Sequence, residues 1–340
     1  MKKKITLYLY YIYLLCSFLS FKLFKKDLVL SKIIFNRLHC LTNGKSTNFF
    51  SELVLQLEKK SDTSNILRTT VFQKLQEKEN FFFNKLNADG YAIYPYKLSD
   101  KIIEKLNHFA INNFTLEIAN NKRLENKKIK YCEKTLSSER LNFFMGDLIK
   151  LDCIQDLICD SSIIDICKNY FQRTPVFAEV NMWWSIVNQN KSSSEAAQLY
   201  HYDLDATKWL KIFIYLTDVD LGGGPHCYVA GTHINDDSSK KLLSKGYVRI
   251  SDKEMSENYS ANRFNTILGP KGTIVFGDTK AFHKGLKPYK NDRLVLELTY
   301  INSNFLYDVN KIKLSPLDIK SHSLKNNINN SSIFQNIKFI

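Results

Sequence analysis

The sequence predicts a mainly β fold with helices (α+β), in which an antiparallel jelly roll carries helices packed on one side. Two features of the pattern predict this class. The hydrophobic period changes from 3.6 to 2 near Val176, so helical segments give way to strands. At least six short strands then follow without the strand–helix alternation that a parallel sheet requires. With 340 residues and a hydrophobic content of 44%, the chain can bury a sizeable core.

Residues 1–84 are predicted to form a helical N-terminal extension that carries the hydrophobic segment 5–21. This segment has no charged side chain, and lysines flank it on both sides. No small-residue cleavage site follows it, so a cleaved signal peptide is not favoured. Its length is at the lower limit for crossing a bilayer. Two interpretations stay open, a membrane or interfacial anchor and a helix that is buried or faces a partner.

The jelly-roll domain is predicted over residues 85–303, and residues 304–340 are predicted to be a peripheral polar tail, disordered in part. The domain opens with a short strand at 91–94 after a turn signal. A helix is expected to begin near Asp100, and a pair of helices is expected at about 146–171. These helices supply the layer that covers one side of the β structure.

Strands are expected to dominate the second half of the domain. They are predicted at 177–187, 196–204, 209–219, 226–230, 272–276 and 293–301. The last of these alternates most strongly between the two faces of a sheet. The polar stretch 234–264 is too long for an idle connection, and we predict a lid or substrate loop there.

A candidate metal site begins at His201 and Asp203. The two residues are separated by one position, so on a strand their side chains point to the same face. His283 follows a later strand and turn, from which it can approach from the facing sheet. Two imidazoles and one carboxylate form the facial triad that binds non-heme Fe(II) and leaves positions open for a cosubstrate and O₂. The three residues are therefore predicted as metal ligands and as the catalytic centre.

Arg293 is the candidate anchor for a cosubstrate. It lies ten residues after His283, near the start of the last strand. Its planar fork matches a carboxylate with two parallel hydrogen bonds, which a lysine does less well. It would hold the far carboxylate of 2-oxoglutarate at the base of the barrel. The alternative that stays open is a structural salt bridge with Glu297 or with an acidic loop.

Further residues of the predicted pocket follow from strand parity. Lys211, Phe213 and Tyr215 share the face that would line the cosubstrate pocket, although ordinary filling of the barrel stays open for each. Asp205 is predicted to be a loop residue or a substrate contact. His226 is expected to be structural rather than a ligand.

Several sequence blocks stand in a fixed order along residues 85–303. They are Gly90-Tyr91 within 86–98, Tyr200-His201-Tyr202-Asp203, the segment 210–219, Gly224-Pro225, Gly231-Thr232-His233, Gly277-Asp278, Ala281-Phe282-His283-Lys284-Gly285 and Arg293. In this order they resemble the phytanoyl-CoA dioxygenase family. The resemblance implies a double-stranded β-helix of the cupin-like kind, Fe(II) as the metal and 2-oxoglutarate as the cosubstrate. One departure is Ala230, where the family has a proline before its turn, and it touches no ligand.

The resemblance also implies a reaction. Related iron halogenases carry Gly or Ala where Asp203 stands, so hydroxylation is expected rather than chlorination. We expect hydroxylation of an unidentified small organic substrate, with O₂ consumed and 2-oxoglutarate converted to succinate and CO₂. The alternatives that stay open are a non-catalytic metal-binding jelly roll, a membrane-tethered scaffold, and a redox enzyme that uses another metal.

The net charge and the cysteine content limit which partners and which cellular compartment are expected. The formal net charge of +14 fits a solvated basic surface, an anionic or acyl-carrier-linked substrate, or an anionic membrane surface. No recognition motif supports nucleic acid as a partner. Seven cysteines form no CxxC pair and no regular framework, which favours free thiols in a reducing compartment. A cytoplasmic location is expected, and membrane association through residues 5–21 stays open.

Overall fold

Two antiparallel sheets face each other and enclose the cavity in which the candidate site lies. The computed structural model describes residues 2–57, 66–309 and 311–339. Its strands are β1 (Tyr91–Ile93), β2 (Thr115–Ala119), β3 (Lys122–Ile129), β4 (Ser138–Phe143), β5 (Val176–Ser185), β6 (Trp209–Tyr215), β7 (His226–Val229), β8 (Phe264–Ile267), β9 (Ile274–Gly277), β10 (His283–Gly285), β11 (Arg293–Ile301), β12 (Ile312–Leu314) and β13 (Ile337–Phe339).

Helices surround the sheets. They are α1 (Lys2–Phe24), α2 (Ser31–Leu41), α3 (Lys45–Leu57), α4 (Glu79–Asp89), α5 (Asp100–Asn112), α6 (Met145–Leu148), α7 (Asp152–Ile158), α8 (Ser161–Phe171), α9 (Asp237–Leu243), α10 (Asp252–Asn258) and α11 (His322–Asn327). The helices expected near Asp100 and at 146–171 are thus present, the latter divided into three.

The strand order defines a large and a small sheet. The large sheet has the order β1-β9-β6-β11-β5-β4-β2-β3, and the small sheet has the order β10-β7-β8. Neighbouring strands in both sheets run antiparallel. The rings of Tyr91 and Tyr228 stack between the sheets with their centroids 4.9 Å apart. The predicted α+β fold with an antiparallel jelly roll is confirmed.

The outer face of the large sheet carries the main hydrophobic core. On β11, Leu294, Leu296 and Leu298 are fully buried in one cluster with Leu157 and Ile164 of the covering helices. Burial of this kind contributes roughly 25 cal/mol for each Å² of apolar surface removed from water. Stability of the sheet therefore comes largely from the helix-covered face, and the opposite face is left for the cavity.

Strands β2, β3 and β4 extend the large sheet in a stretch for which the sequence predicted no strand. The reason is visible in β3, Lys122–Ile129, which is an edge strand with five charged residues among eight. Charged side chains protect such an edge from pairing with other chains, and they also remove the apolar alternation that reveals a strand. The three strands form one wall of the cavity.

Helix α1 presents two different faces. Leu14, Phe18 and Phe21 are buried, and the ring of Phe18 packs edge-on against Phe305 at a centroid distance of 5.0 Å. The opposite face is apolar but exposed, as at Leu9, which is 59% exposed. In the described part of the chain, Ile5–Phe24 is one helix that passes for a membrane span by length and composition alone. Membrane association through residues 5–21 stays a prediction.

The prediction of a peripheral tail at 304–340 is wrong for much of that segment. Strands β12 and β13 pair in parallel, and α11 packs against α7. Leu324, Ile333 and Phe334 are fully buried in the main core. The polar composition hid these few apolar side chains, because they are spaced among many Asn, Ser and Lys residues.

The stretch 234–264, predicted as one long loop, contains the two short helices α9 and α10. Leu242, Ile250 and Met255 are buried beside the ligand segment, and Ile250 N donates to the carbonyl oxygen of Tyr200 at 2.8 Å. This stretch therefore covers the outside of the segment that carries the first two candidate ligands. A role as a lid or substrate loop stays a prediction.

Candidate metal centre and its cavity

His201 and Asp203 lie on an extended loop, and the predicted strand at 196–204 is absent. Two backbone bonds join this loop to the segment of the third candidate ligand. His201 N donates to His283 O at 3.0 Å, and His283 N donates to His201 O at 2.8 Å. Asp203 N donates to the carbonyl oxygen of Thr279 at 2.8 Å. The pairing is too short to form a strand, but it brings the two segments of the site together.

The side chains of His201, Asp203 and His283 form a site able to hold a metal. One ligand atom from each lies within 4.8 Å of the others. The Nδ1 atoms of His201 and His283 each lie 2.9 Å from a backbone carbonyl oxygen, of Leu199 and Ala281 respectively. A neutral imidazole that donates through Nδ1 keeps its lone pair on Nε2, which is the atom turned toward Asp203. Burial lowers the pKa of both imidazoles, which favours the neutral, ligating form.

Lys211 contacts the carboxylate of the candidate ligand Asp203. Its Nζ lies 2.9 Å from Asp203 Oδ2 and 3.0 Å from Asp205 Oδ2. Burial alone would lower the pKa of Lys211, but the two carboxylates outweigh burial and raise it. Burial also opposes ionisation of Asp203, yet the charge of Lys211 holds the pKa of that carboxyl below its usual range. Lys211 therefore keeps Asp203 charged and fixes one of its oxygens.

The N-terminal extension holds the loop that follows Asp203. Lys32 Nζ on α2 donates to the carbonyl oxygens of Leu204, Asp205 and Leu306 at 2.6, 2.5 and 2.9 Å. Burial lowers the pKa of Lys32, and nearby carboxylates oppose this effect. No role for residues 27–84 could be predicted from the sequence, because a helical pattern does not indicate which distant loop the helix contacts.

Arg293 lies at the base of the cavity, 2% exposed. Its Nη1 donates to the carbonyl oxygen of Gly224, and its Nη2 donates to Ser185 Oγ at 3.2 Å. Its buried Nε has no hydrogen-bond partner in the described part of the chain. A Cβ at Gly285 would stand 3.1 Å from Nη2, so the guanidinium lies beside the strand of His283. Among the described residues no carboxylate is within ion-pair distance of Arg293, which leaves the alternative of a salt bridge with Glu297 without support.

Phe213 and Tyr215 differ in their positions. Phe213 lines the cavity, and its ring centroid lies 4.5 Å from that of His226. Tyr215 is fully buried between the sheets, where its hydroxyl donates to the carbonyl oxygen of Ile267 at 3.0 Å. We therefore retain Phe213 as a wall of the pocket, while the Tyr215 hydroxyl is used in joining β6 to β8.

The cavity has a volume of about 400 Å³ and contains polar residues that the sequence did not reveal. The unpredicted members are Arg123, Arg140, Asn142, Glu179, Asn181 and Glu297. Glu297 shares the face of Arg293 on β11, so strand parity could have found it. Arg123 and Arg140 could not be found in this way, because they lie on β3 and β4, where no strand was predicted.

Two of these residues form an acidic pair within the cavity. Burial, followed by repulsion from Glu297, raises the pKa of Glu179 to about 7. Glu297 accepts a hydrogen bond from Asn181 Nδ2 at 3.0 Å. The cavity therefore combines a candidate metal site, an acidic pair and several cations, as expected of a site for a polar ligand.

No family model matches the chain, and no curated protein matches it.

Solved structures give matches of low similarity. AviO1 from Streptomyces viridochromogenes is 14% identical, with a TM-score of 0.43 over 67% of this chain and 96% of that one. The epimerase SnoN, in complex with Fe³⁺, alpha ketoglutarate and nogalamycin RO, is 14% identical, with a TM-score of 0.46 over 65% of this chain and 82% of that one. HygX from Streptomyces hygroscopicus, with nickel and 2-oxoglutarate bound, is 13% identical, with a TM-score of 0.45 over 74% and 94%. These TM-scores are too low to support a functional assignment. The function is therefore inferred from the geometry of the site alone.

Proposed function

We propose that the protein is an Fe(II)- and 2-oxoglutarate-dependent dioxygenase, similar to the phytanoyl-CoA dioxygenase family, that hydroxylates a small organic substrate. The observation that carries the proposal is the pairing of a His201, Asp203 and His283 site with a buried arginine in one cavity. A metal site alone fits many proteins, whereas an arginine at the base of the same cavity fits a cosubstrate with a second carboxylate.

The donor set fits Fe(II). Two neutral imidazoles and one carboxylate neutralise only one of its positive charges and occupy one face. Bound there, Fe(II) with 2-oxoglutarate and O₂ would supply the oxidising power, and succinate and CO₂ would be the coproducts. The chain supplies orientation, because Leu199 and Ala281 accept from the Nδ1 atoms of the two imidazoles.

Arg293 would bind the far carboxylate of 2-oxoglutarate. Its unpartnered Nε is an unused donor, and leaving a buried donor unused costs free energy of about 1–3 kcal/mol. Gly285 leaves room for the guanidinium two residues from His283 on β10. The guanidinium thus lies beside Gly285, only two residues along β10 from the candidate ligand His283. This placement suits a five-carbon dicarboxylate that binds the arginine at one end and the metal at the other.

Asp203 favours hydroxylation. Resemblance to the related halogenases implies that halide needs the ligand position that Asp203 occupies. Lys211 ties the same carboxylate in place, so the position is not readily vacated. Phe213 and Trp183 line the cavity and would exclude water from the reacting centre.

The test is an anaerobic titration of the protein with Fe(II) and then 2-oxoglutarate. We expect stoichiometric iron and a charge-transfer band in the visible when 2-oxoglutarate is added. His201→Ala should lose iron and the band, whereas the matched control His108→Ala, at an exposed position of α5, should keep both. Stoichiometric iron in His201→Ala would reject the assignment. Iron binding without a band in the wild type would instead support a non-catalytic metal-binding protein.

A further inference from the structure

Three arginines lie in one row across the large sheet. The register pairs Arg123 with Ile118, Ile118 with Arg140, Arg140 with Ser185, and Ser185 with Arg293. Residues in such a row point to the same face of the sheet. The row runs from exposed Arg123 at the cavity mouth to buried Arg293 at its base, and it contains no acidic residue.

Arg140, in the middle of this row, is a fixed cation. Its guanidinium carbon lies 4.0 Å from the ring centroid of Trp183, and its Nε donates to Asn142 Oδ1 at 2.7 Å. Burial lowers the pKa of Arg140 to about 10; the nearby charge of Glu297 opposes this shift, and repulsion from Arg293 and Arg123 adds to it. The stacking and the Nε bond together hold the planar group in one orientation.

The two terminal amino groups of Arg140 are available for a ligand. Among the described residues, none accepts a hydrogen bond from them, and no carboxylate lies within ion-pair distance. The side chain lines the cavity and retains part of its exposure there. A guanidinium held deep in the molecule, facing a cavity and lacking a counter-ion, matches an oxyanion with two parallel bonds.

We propose that Arg140 binds an oxyanionic group, a carboxylate or a phosphate, of the substrate. This inference rests on the proposed function, in which 2-oxoglutarate occupies Arg293. The two arginines lie on β4 and β11, with β5 between them, so their backbones are about 10 Å apart and can serve two anions. Arg123 at the mouth attracts anions toward the cavity. The substrate is therefore an anion whose charged group lies on the β4 side of the metal.

The test uses three probes of equal chain length on protein loaded anaerobically with Fe(II) and 2-oxoglutarate. Hexanoate and hexyl phosphate are compared with neutral hexanamide, and binding is measured by the shift of the melting temperature and by calorimetry. We expect one of the two anions to bind more tightly than hexanamide, and the preferred anion identifies the group. Arg140→Gln should weaken the preferred anion by roughly tenfold to a hundredfold and leave the 2-oxoglutarate band unchanged.

Controls separate charge from folding. Arg37→Gln removes an exposed arginine of α2 and should change neither reading. Arg140→Lys keeps the charge without the fork and should show an intermediate loss, which tests the inference if Arg140→Gln does not fold. The comparison of hexanoate with hexanamide on the wild type needs no variant.

Two results would overturn the inference. Equal affinity of the wild type for all three probes would show that the cavity has no oxyanion site. Loss of the 2-oxoglutarate band in Arg140→Gln assigns Arg140 to the cosubstrate instead. By contrast, a wild type without the band rejects the proposed function itself, so the two failures are distinguishable.

Discussion

The two faces of strand β11 are equally buried but differ in chemistry. Leu294, Leu296 and Leu298 on the helix-covered face are all fully buried. On the cavity face, Arg293 and Glu297 are only 2% and 7% exposed, yet both carry charge. Hydrocarbon burial stabilises the first face, whereas desolvation of charge works against the second.

The difference indicates that one face of β11 stabilises the fold and the other face binds ligands. Substitutions on the helix-covered face should lower stability and leave ligand affinity unchanged, since that face contacts no cavity. Substitutions on the cavity face should change affinity with little loss of stability, since charged groups without full pairing contribute little to folding. Two substitutions on β11 test this contrast, and a third on the neighbouring strand β5 tests the cost of burying charge in the cavity; they follow in order of expected effect.

Leu296→Ala should give the largest change. It removes fully buried methyl groups from the main core and leaves a space, which typically costs about 2–5 kcal/mol of unfolding free energy. Urea denaturation measures the loss. Iron bound per folded molecule should equal the wild-type value, and a fall in that ratio would contradict the separation of the two faces.

Arg293→Met should have a smaller effect, and on ligand affinity rather than on stability. Loss of a charge-assisted bidentate pair corresponds to about 1.5–3 kcal/mol, so the affinity for 2-oxoglutarate should fall roughly tenfold to a hundredfold. The charge-transfer band measures this affinity, and the melting temperature should stay constant or rise. Arg37→Met, on the exposed side of α2, serves as the control. Wild-type affinity in Arg293→Met would remove this residue from the cosubstrate site.

Glu179→Gln should give the smallest change, which develops as pH rises from about 4.5 to 7 and is complete above neutral pH. The folded-state pKa of about 7 lies above the ordinary value of 4.5, because burial and Glu297 disfavour the charged form. The folded state therefore binds more protons between these values, and its stability falls as pH rises through them, by about 1–3 kcal/mol.

The pH dependence of Glu179→Gln is measurable by denaturation of metal-free protein at pH 5 and pH 8. The variant should match the wild type at pH 5 and exceed it at pH 8, while exposed Glu257→Gln should follow the wild type at both. A wild type with equal stability at the two values would show that Glu179 does not carry this penalty.

On β11 the sequence could predict which residues share a face, and Arg293 as a pocket residue, because the alternation of this strand is strong. The chain pattern also identified His201, Asp203 and His283, which the structure brings together. The segment 196–204, which carries His201 and Asp203, was wrongly predicted as a strand. A few backbone hydrogen bonds to the segment of His283 hold it extended without a full strand pairing, and the residue pattern does not distinguish these two cases.

Other features depend on contacts that leave no local pattern. Arg140 lies on β4, which begins with three polar residues and so shows only a short apolar alternation. Lys32 on α2 bonds to the loop after Asp203 from more than 170 positions away, and no periodicity encodes that pairing. Buried Phe334 lies in a polar stretch, where composition outweighs a single aromatic residue.

The row arrangement has a consequence for regioselectivity. Same-face residues on a strand repeat every ~6.7 Å, roughly five carbon–carbon bonds of an extended chain. Lys211, which touches the ligand Asp203, lies opposite Thr299, three such steps from Arg293 (through residues 295 and 297). If the substrate anion is held at Arg140 as proposed, the spacing of these rows would set how many carbons separate its charged group from the position oxidised. Moving the arginine to position 142, one row nearer the metal, would shorten that count and shift oxidation toward the anion.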